Sequence, residues 1–182
     1  QNLTEQPALS LLRCEQVLVS PTMHVGSDPL TISFTHRFAF EAGNWDGGVV
    51  ELSADGGGSW VPIGALGAPY NGLTNPATSA PIGASRPAFV GRMVGWPNFA
   101  NVSLNLGTTF ANQDVKIRFR IGADESTGAP GWEIDDIVVA GITGTPFGAL
   151  VADAGCPVCD DDDEEHHHGH DHHDHDRWGR RD

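Results

Sequence analysis

Residue types able to do chemistry are concentrated at one end of the chain. Its last 27 residues, CPVCDDDDEEHHHGHDHHDHDRWGRRD, carry His166, His167, His168, His170, His172, His173 and His175 interleaved with Asp171, Asp174 and Asp176. Imidazole nitrogen mixed with carboxylate oxygen suits zinc, copper or nickel, each of which accepts both ligand types. The interrupted histidines and the WGRRD ending set this segment apart from a purification tag. Without a fold to fix ligand geometry, selectivity among these metals is expected to be poor. The simpler alternative is an acidic, solubilising tail.

Cys156 and Cys159 form a CxxC, and Cys14 is the third cysteine. A tetrathiolate zinc site needs a second CxxC, and a c-type haem needs histidine after the motif, where Asp160 stands. Three readings stay open. Cys156 and Cys159 act as thiolate ligands beside the tail histidines, or they form a local disulfide, or Cys14 bridges to one of them. In an oxidising compartment a Cys14–Cys156 bridge, stapling the two ends of the folded body, is favoured. Elsewhere no nucleophile and base pair up, so the chain is not expected to be an enzyme.

Charge divides the chain. The formal net charge is −14 over 182 residues, and half of it falls after residue 155. So acidic a chain is a poor nucleic-acid binder, because phosphate contacts need clustered lysine and arginine. No run approaches the length of a membrane span. Gln1 to Gln6 lack the order of a signal peptide, so the chain is either a mature product or a piece of a longer precursor.

The elements that must position these residues read as strands. Leu30, Ile32, Phe34, Phe38 and Phe40 share one face of an alternating run, with His36 in the same apolar phase. His36 is expected to be a core imidazole satisfied by Asp136 or a backbone carbonyl. Val17–Val19, Val49–Ser53, Ser59–Ile63, Ala88–Val90, Val102–Leu106, Val115–Ile121 and Gly131–Ala140 read as further strands. Asp55-Gly-Gly-Gly58 is a hairpin signal, and residues 64 to 87 form a loop long enough to be functional or mobile. Lys116, Arg118 and Arg120 make an outward row, expected to pair with acids on neighbouring strands. Trp45, Trp60, Trp96 and Trp132 are candidates for stacking on a glycan, with Trp60 and Trp132 expected to pack and Trp96 to be the exposed one. Many alternating strands without a βαβ rhythm indicate an all-β antiparallel sandwich.

The ordered motifs HRFAFE (36 to 41), WDGGVVELSADGGGSW (45 to 60), RPAFVG (86 to 91), VKIRFRIGAD (115 to 124) and GWEIDDIVV (131 to 139) carry a resemblance. Over residues 17 to 142 the chain resembles the MAM-like jelly-roll β-sandwich that accompanies immune inhibitor A-type metallopeptidases and other secreted bacterial proteins. The resemblance implies a structural calcium at Glu41, Asp46, Asp135 and Asp136. Strand phase bears on one of these positions. Counting by twos from Trp132 and Ile134 turns Asp136 inward, where a bare carboxylate is costly. A β-bulge would resolve the phase and a cation the charge. The HExxH of the peptidases is absent, so their activity does not carry over.

The expected organisation is an N-terminal extension (1–16), a jelly-roll sandwich (17–142), a linker (143–155) and the metal-binding tail (156–182). The expected function is a non-catalytic, secreted or cell-surface module for adhesion, surface assembly or docking. Its partner would be a protein or a surface, or another copy of itself, with a glycan as the minor alternative. Two rival functions are a metal-sequestering or metal-delivery protein acting through the tail, and a subunit of an extracellular filament or surface layer.

Overall fold

The computed structural model describes residues 14–67 and 70–146. These fold into antiparallel strands, with no α-helix among the described residues. The strands are β1 (Cys14–Val19), β2 (Met23–Val25), β3 (Leu30–Ala39), β4 (Gly47–Ser53), β5 (Val61–Pro62), β6 (Gly72–Leu73), β7 (Pro87–Val90), β8 (Ala100–Gly107), β9 (Asp114–Ala123), β10 (Gly131–Ala140) and β11 (Ile142–Thr143). They make two sheets. The smaller runs β10-β3-β8, and the larger is organised around β9 and β4. One edge of β9 pairs with β4, while the other pairs with β1 and β2 laid end to end. The first strand therefore starts at Cys14, three residues before the expected boundary.

Alternation explains why these segments pair as they do. On β3 the residues Leu30, Ile32, Phe34, His36 and Phe38 are buried, and the alternate positions from Thr31 to Arg37 are half-buried. That face meets Val50 and Leu52 of β4 and Val115, Ile117 and Phe119 of β9 in a shared core. Phe34 and Phe119 touch edge to face across the two sheets, with ring centroids 5.2 Å apart. The Asp55–Gly58 turn forms as expected. Asp55 accepts hydrogen bonds from the Ser59 amide and from the Ser53 and Ser59 hydroxyls. Gly56 and Gly57 supply the positive φ of the turn. The strand expected at Ser59–Ile63 shrinks to β5, because the chain turns into a 3-10 helix at Ile63–Leu66.

The long loop after β5 has a structural role. Its residues Ala80 and Ile82 form a second buried cluster with Val49, Ala88 and Val90 on the outer face of the large sheet. Two glycines make room for it. A Cβ on Gly122 would lie 2.9 Å from the backbone nitrogen of Ile82, and one on Gly47 would lie 2.9 Å from the Phe89 carbonyl oxygen. The outward basic row serves the same cover. Arg118 pairs with Glu51 on β4, and Arg120 pairs with Glu15 on β1. Arg120 also donates to the Pro81 carbonyl at 2.8 Å, and Arg86 to that of Ile82 at 3.1 Å. These arginines hold the loop down.

His36 lies among Phe34, Phe38, Phe89 and Trp132. Its partner is not Asp136. The Trp132 indole N–H donates to His36 Nδ1 at 3.2 Å. Indole can only donate, so Nδ1 accepts and the ring is neutral, with its proton on Nε2. Burial lowers the His36 pKa from 6.5. The unfolded chain then binds a proton that the folded one does not, so His36 withdraws stability as pH falls from 6.5 through its lowered folded value. In urea titrations from pH 7.5 to 5, wild type is expected to lose stability faster than His36→Phe. Parallel pH profiles for the two would rule this out.

Candidate functional site

The site lies where β3 hands over to β4. Phe40 is buried, and the chain then reverses through Gly43 (φ 94°) and Asn44 (φ 61°), conformations suited to glycine and asparagine. The reversal is pinned from outside by the segment before β7. Asn44 donates to the Leu73 carbonyl at 3.1 Å, Asn75 to that of Gly43 at 3.0 Å, and the Thr78 hydroxyl to that of Trp45 at 2.5 Å. Glu41 and Asp46 flank the turn and are brought close together. Pairing of Gly47 with Gly122 sets the end of β9 beside Asp46, and this delivers Asp124.

Carboxylate oxygens of Glu41, Asp46 and Asp124 all lie within 4.8 Å of one another. Asp46 is buried and accepts the Asp124 amide at 2.9 Å. Oε1 of Glu41 is shielded from solvent and has no hydrogen-bond partner among the described residues. Burial raises the Glu41 carboxyl above its ordinary range, and the charges of Asp124 and Asp46 raise it further, against a hydrogen bond from Thr127. Burial also raises Asp46. The Asp124 amide lowers it in part and the Asp124 charge adds to the rise. Three carboxylates facing one point, two of them resisting ionisation, make a local concentration of negative charge that a hard cation would relieve. A cleft of about 550 Å³ opens beside the cluster, lined by Cys14, Phe40, Asp46, Asp124, Thr127 and Trp132 among others.

Of the four acids expected to share an ion, only Glu41 and Asp46 belong to this cluster. Asp135 and Asp136 lie outside it. Asp135 pairs with Thr35, four residues back along β3 from its end at Ala39 and six before Glu41, a span of roughly 20 Å at about 3.3 Å per residue of extended chain. The bulge expected at this pair is present, as a register shift between Asp135 and Val138 with Asp136 at φ 50°. It leaves both acids exposed, with Asp135 accepting the Asp136 amide at 2.8 Å. The bulge alone removes the inward carboxylate. Asp124 takes the third place, and the sequence carries a signal for it: an acid just past a cleanly alternating strand, ahead of a Ser-Thr-Gly turn.

The tryptophans divide only in part as expected. Trp132 packs against the core and Trp60 lies under the Arg118 guanidinium, 4.2 Å from ring centroid to Cζ. Trp96, expected to be exposed, is only partly so, since it packs on the core and lies 5.5 Å from the Arg37 guanidinium. Cys14 is disulfide-bonded. Cys156 and Cys159, with His166 to His175, lie outside the described residues, as does the rest of the tail. Among the described residues no helix is long and apolar enough to cross a membrane. No protein-family model matches the chain, and no curated protein matches it.

Proposed function

We propose that this chain is a non-catalytic, extracellular binding or structural module. In this reading a jelly-roll sandwich is stiffened by calcium at Glu41, Asp46 and Asp124, and the tail binds a transition metal. The observation that carries it is the convergence of those three carboxylates, with a buried Asp46 and an unpartnered, shielded Glu41 oxygen. Calcium takes six to eight hard oxygens. Three carboxylates supply a large part of that shell, and water or the Thr127 side chain can add to it. Disulfide-bonded Cys14 fits an oxidising compartment. The role is in adhesion, docking or assembly, with a protein or a surface as partner.

Calcium at a hundred times its Kd is expected to stabilise the fold by about 2.7 kcal/mol, reversed by EGTA. For a body of this size that is a Tm shift of roughly 5–10 °C. Asp46→Asn separates an ion site from a plain acidic rim. Its side-chain oxygen can still accept the Asp124 amide while one repelling charge is gone. The variant should therefore match or exceed wild type in EGTA and gain nothing from calcium. Identical melting of wild type with and without calcium would sink the site.

Zinc titrated into the full chain should fill the tail first. Uptake is expected to fall to the level of the folded body when the seven tail histidines are replaced by asparagine. Equal uptake by both proteins would remove the tail from the reading.

A further inference from the structure

The outer face of the small sheet is polar. Val102, Leu104 and Leu106 of β8 join Ile32 and Phe34 of β3 in the core. Alternation therefore turns Thr31, Ser33 and Thr35 of β3, and Asn101, Ser103 and Asn105 of β8, to the other side. The register sets them in three rows, Thr35 beside Asn101, Ser33 beside Ser103 and Thr31 beside Asn105. The β3 residues are half-buried and the β8 residues exposed. Asn105 accepts the Gly107 amide at 2.9 Å. The side chains of the other five have no hydrogen-bond partner among the described residues.

One end of this face is aromatic. Phe99, two residues before Asn101, is 45% exposed and meets Arg37, two residues after Thr35. The Arg37 guanidinium lies 4.8 Å from the Phe99 ring centroid and 5.5 Å from that of Trp96. It donates to the Pro97 carbonyl at 3.1 Å and to Glu133 at 2.6 Å, so the rings beside it are held in place. On the β10 side Val138, level with Ser33, is 54% exposed. From Phe99 to Asn105 the chain runs roughly 20 Å at about 3.4 Å per residue, the length of a short oligosaccharide.

Charge and composition decide between occupants. An anionic partner needs available cations, but Arg37 is already paired with Glu133, and Asp135 and Asp136 stand exposed on β10. Protein interfaces are anchored by aromatic and arginine side chains at their centre and are poor in serine, the reverse of the arrangement on this face. A neutral sugar meets both conditions. Its hydroxyls donate and accept, as those of serine and threonine and the amide of asparagine do, and its C–H face rests on an aromatic ring. We propose that the outer face of the small sheet binds a neutral oligosaccharide, with one sugar ring on Phe99 and hydroxyls on Ser33, Thr35, Asn101 and Ser103. This names the partner of the binding module and rests on that reading, though not on its calcium.

Affinity electrophoresis of the full chain tests it. In native gels cast with a neutral β-glucan, mannan or galactan, at least one polymer should retard the protein, in calcium and in EGTA alike. Thr35→Val/Ser103→Ala removes two hydroxyls and keeps the strands packed, while Phe99→Ala removes the ring. Each variant should weaken the retardation roughly tenfold and melt as wild type does. Retardation by none of the neutral polymers, or only by a sulfated one, overturns the proposal, as does wild-type affinity in both variants. Dimers that form with rising concentration and that these variants dissolve also overturn it, since a second copy would then be the occupant. The calcium site is read separately, by melting, so either idea can fail without the other.

Discussion

Glu51→Ala is expected to cost about 3 kcal/mol of folding stability, the lower end of the range for breaking a buried ion pair. Glu51 lies on the outer face of β4 and is 2% exposed. It accepts hydrogen bonds from Arg86 and Arg118. Burial alone would raise its pKa, but these two guanidiniums outweigh burial and hold the carboxyl below its ordinary 4.5. Alanine leaves two cations facing a dry strand without their anion. Both arginine side chains stay about a fifth exposed, so water offsets part of the loss, which is why the lower end applies. The sign with pH follows. The unfolded chain takes up this proton first, so the Glu51 contribution is present above pH 4.5 and is lost as pH falls through the lowered folded value. Urea unfolding at pH 7 and pH 3 checks both parts. The gap between wild type and variant should narrow on acidification, and a constant gap would contradict the pairing. Replacing Glu51, Arg86 and Arg118 together by leucine and methionine should cost far less than Glu51→Ala alone, since no charge is then stranded.

Phe34→Ala is expected to be as damaging or more so, at about 3–5 kcal/mol. Phe34 is 2% exposed and its ring meets two other rings. It meets Phe119 of the opposite sheet edge to face, and His36 on its own strand with centroids 5.4 Å apart. Its removal opens a void between the sheets that strands locked by hydrogen bonds on both sides cannot collapse to fill. The edge-to-face contact is lost as well, beyond the lost burial. Phe34→Leu, which keeps most of the volume, should recover the greater part. Urea midpoints for the two variants decide it, and similar losses for both would mean that the void is not what costs stability.

Strand alternation made much of this fold legible. β3, β8 and β9 alternate so cleanly that their inward faces could be assigned residue by residue. His36 stood out because it broke composition without breaking phase. The cover on the outer sheet face was not legible, because β4 is buried throughout and a strand wrapped on both sides loses its alternation. The outward row did read as pairing with acids on neighbouring strands, as Arg118 and Arg120 do, but its second task of anchoring the cover was hidden for the same reason. The acidic cluster was half legible. Glu41 and Asp46 were expected there from the family resemblance, on either side of a glycine-containing loop. Asp124 arrives only through the pairing of β4 with β9, and cross-strand register is fixed by tertiary packing that a single sequence does not display.

The glycine floor beneath Ile82 has a consequence for how this protein fails. Gly47 and Gly122 leave a smooth strip of backbone on the outer sheet, beside Val49 and Val90, that only the loop conceals. If that loop lifts, it bares an apolar strip bordered by Arg120 and Glu51 on otherwise native sheet, the kind of surface on which proteins self-associate. Damage to the loop's anchors would then appear as turbidity and lost soluble yield at temperatures where the inner core is still intact. The loop acts as a guard on solubility as well as a layer of the fold.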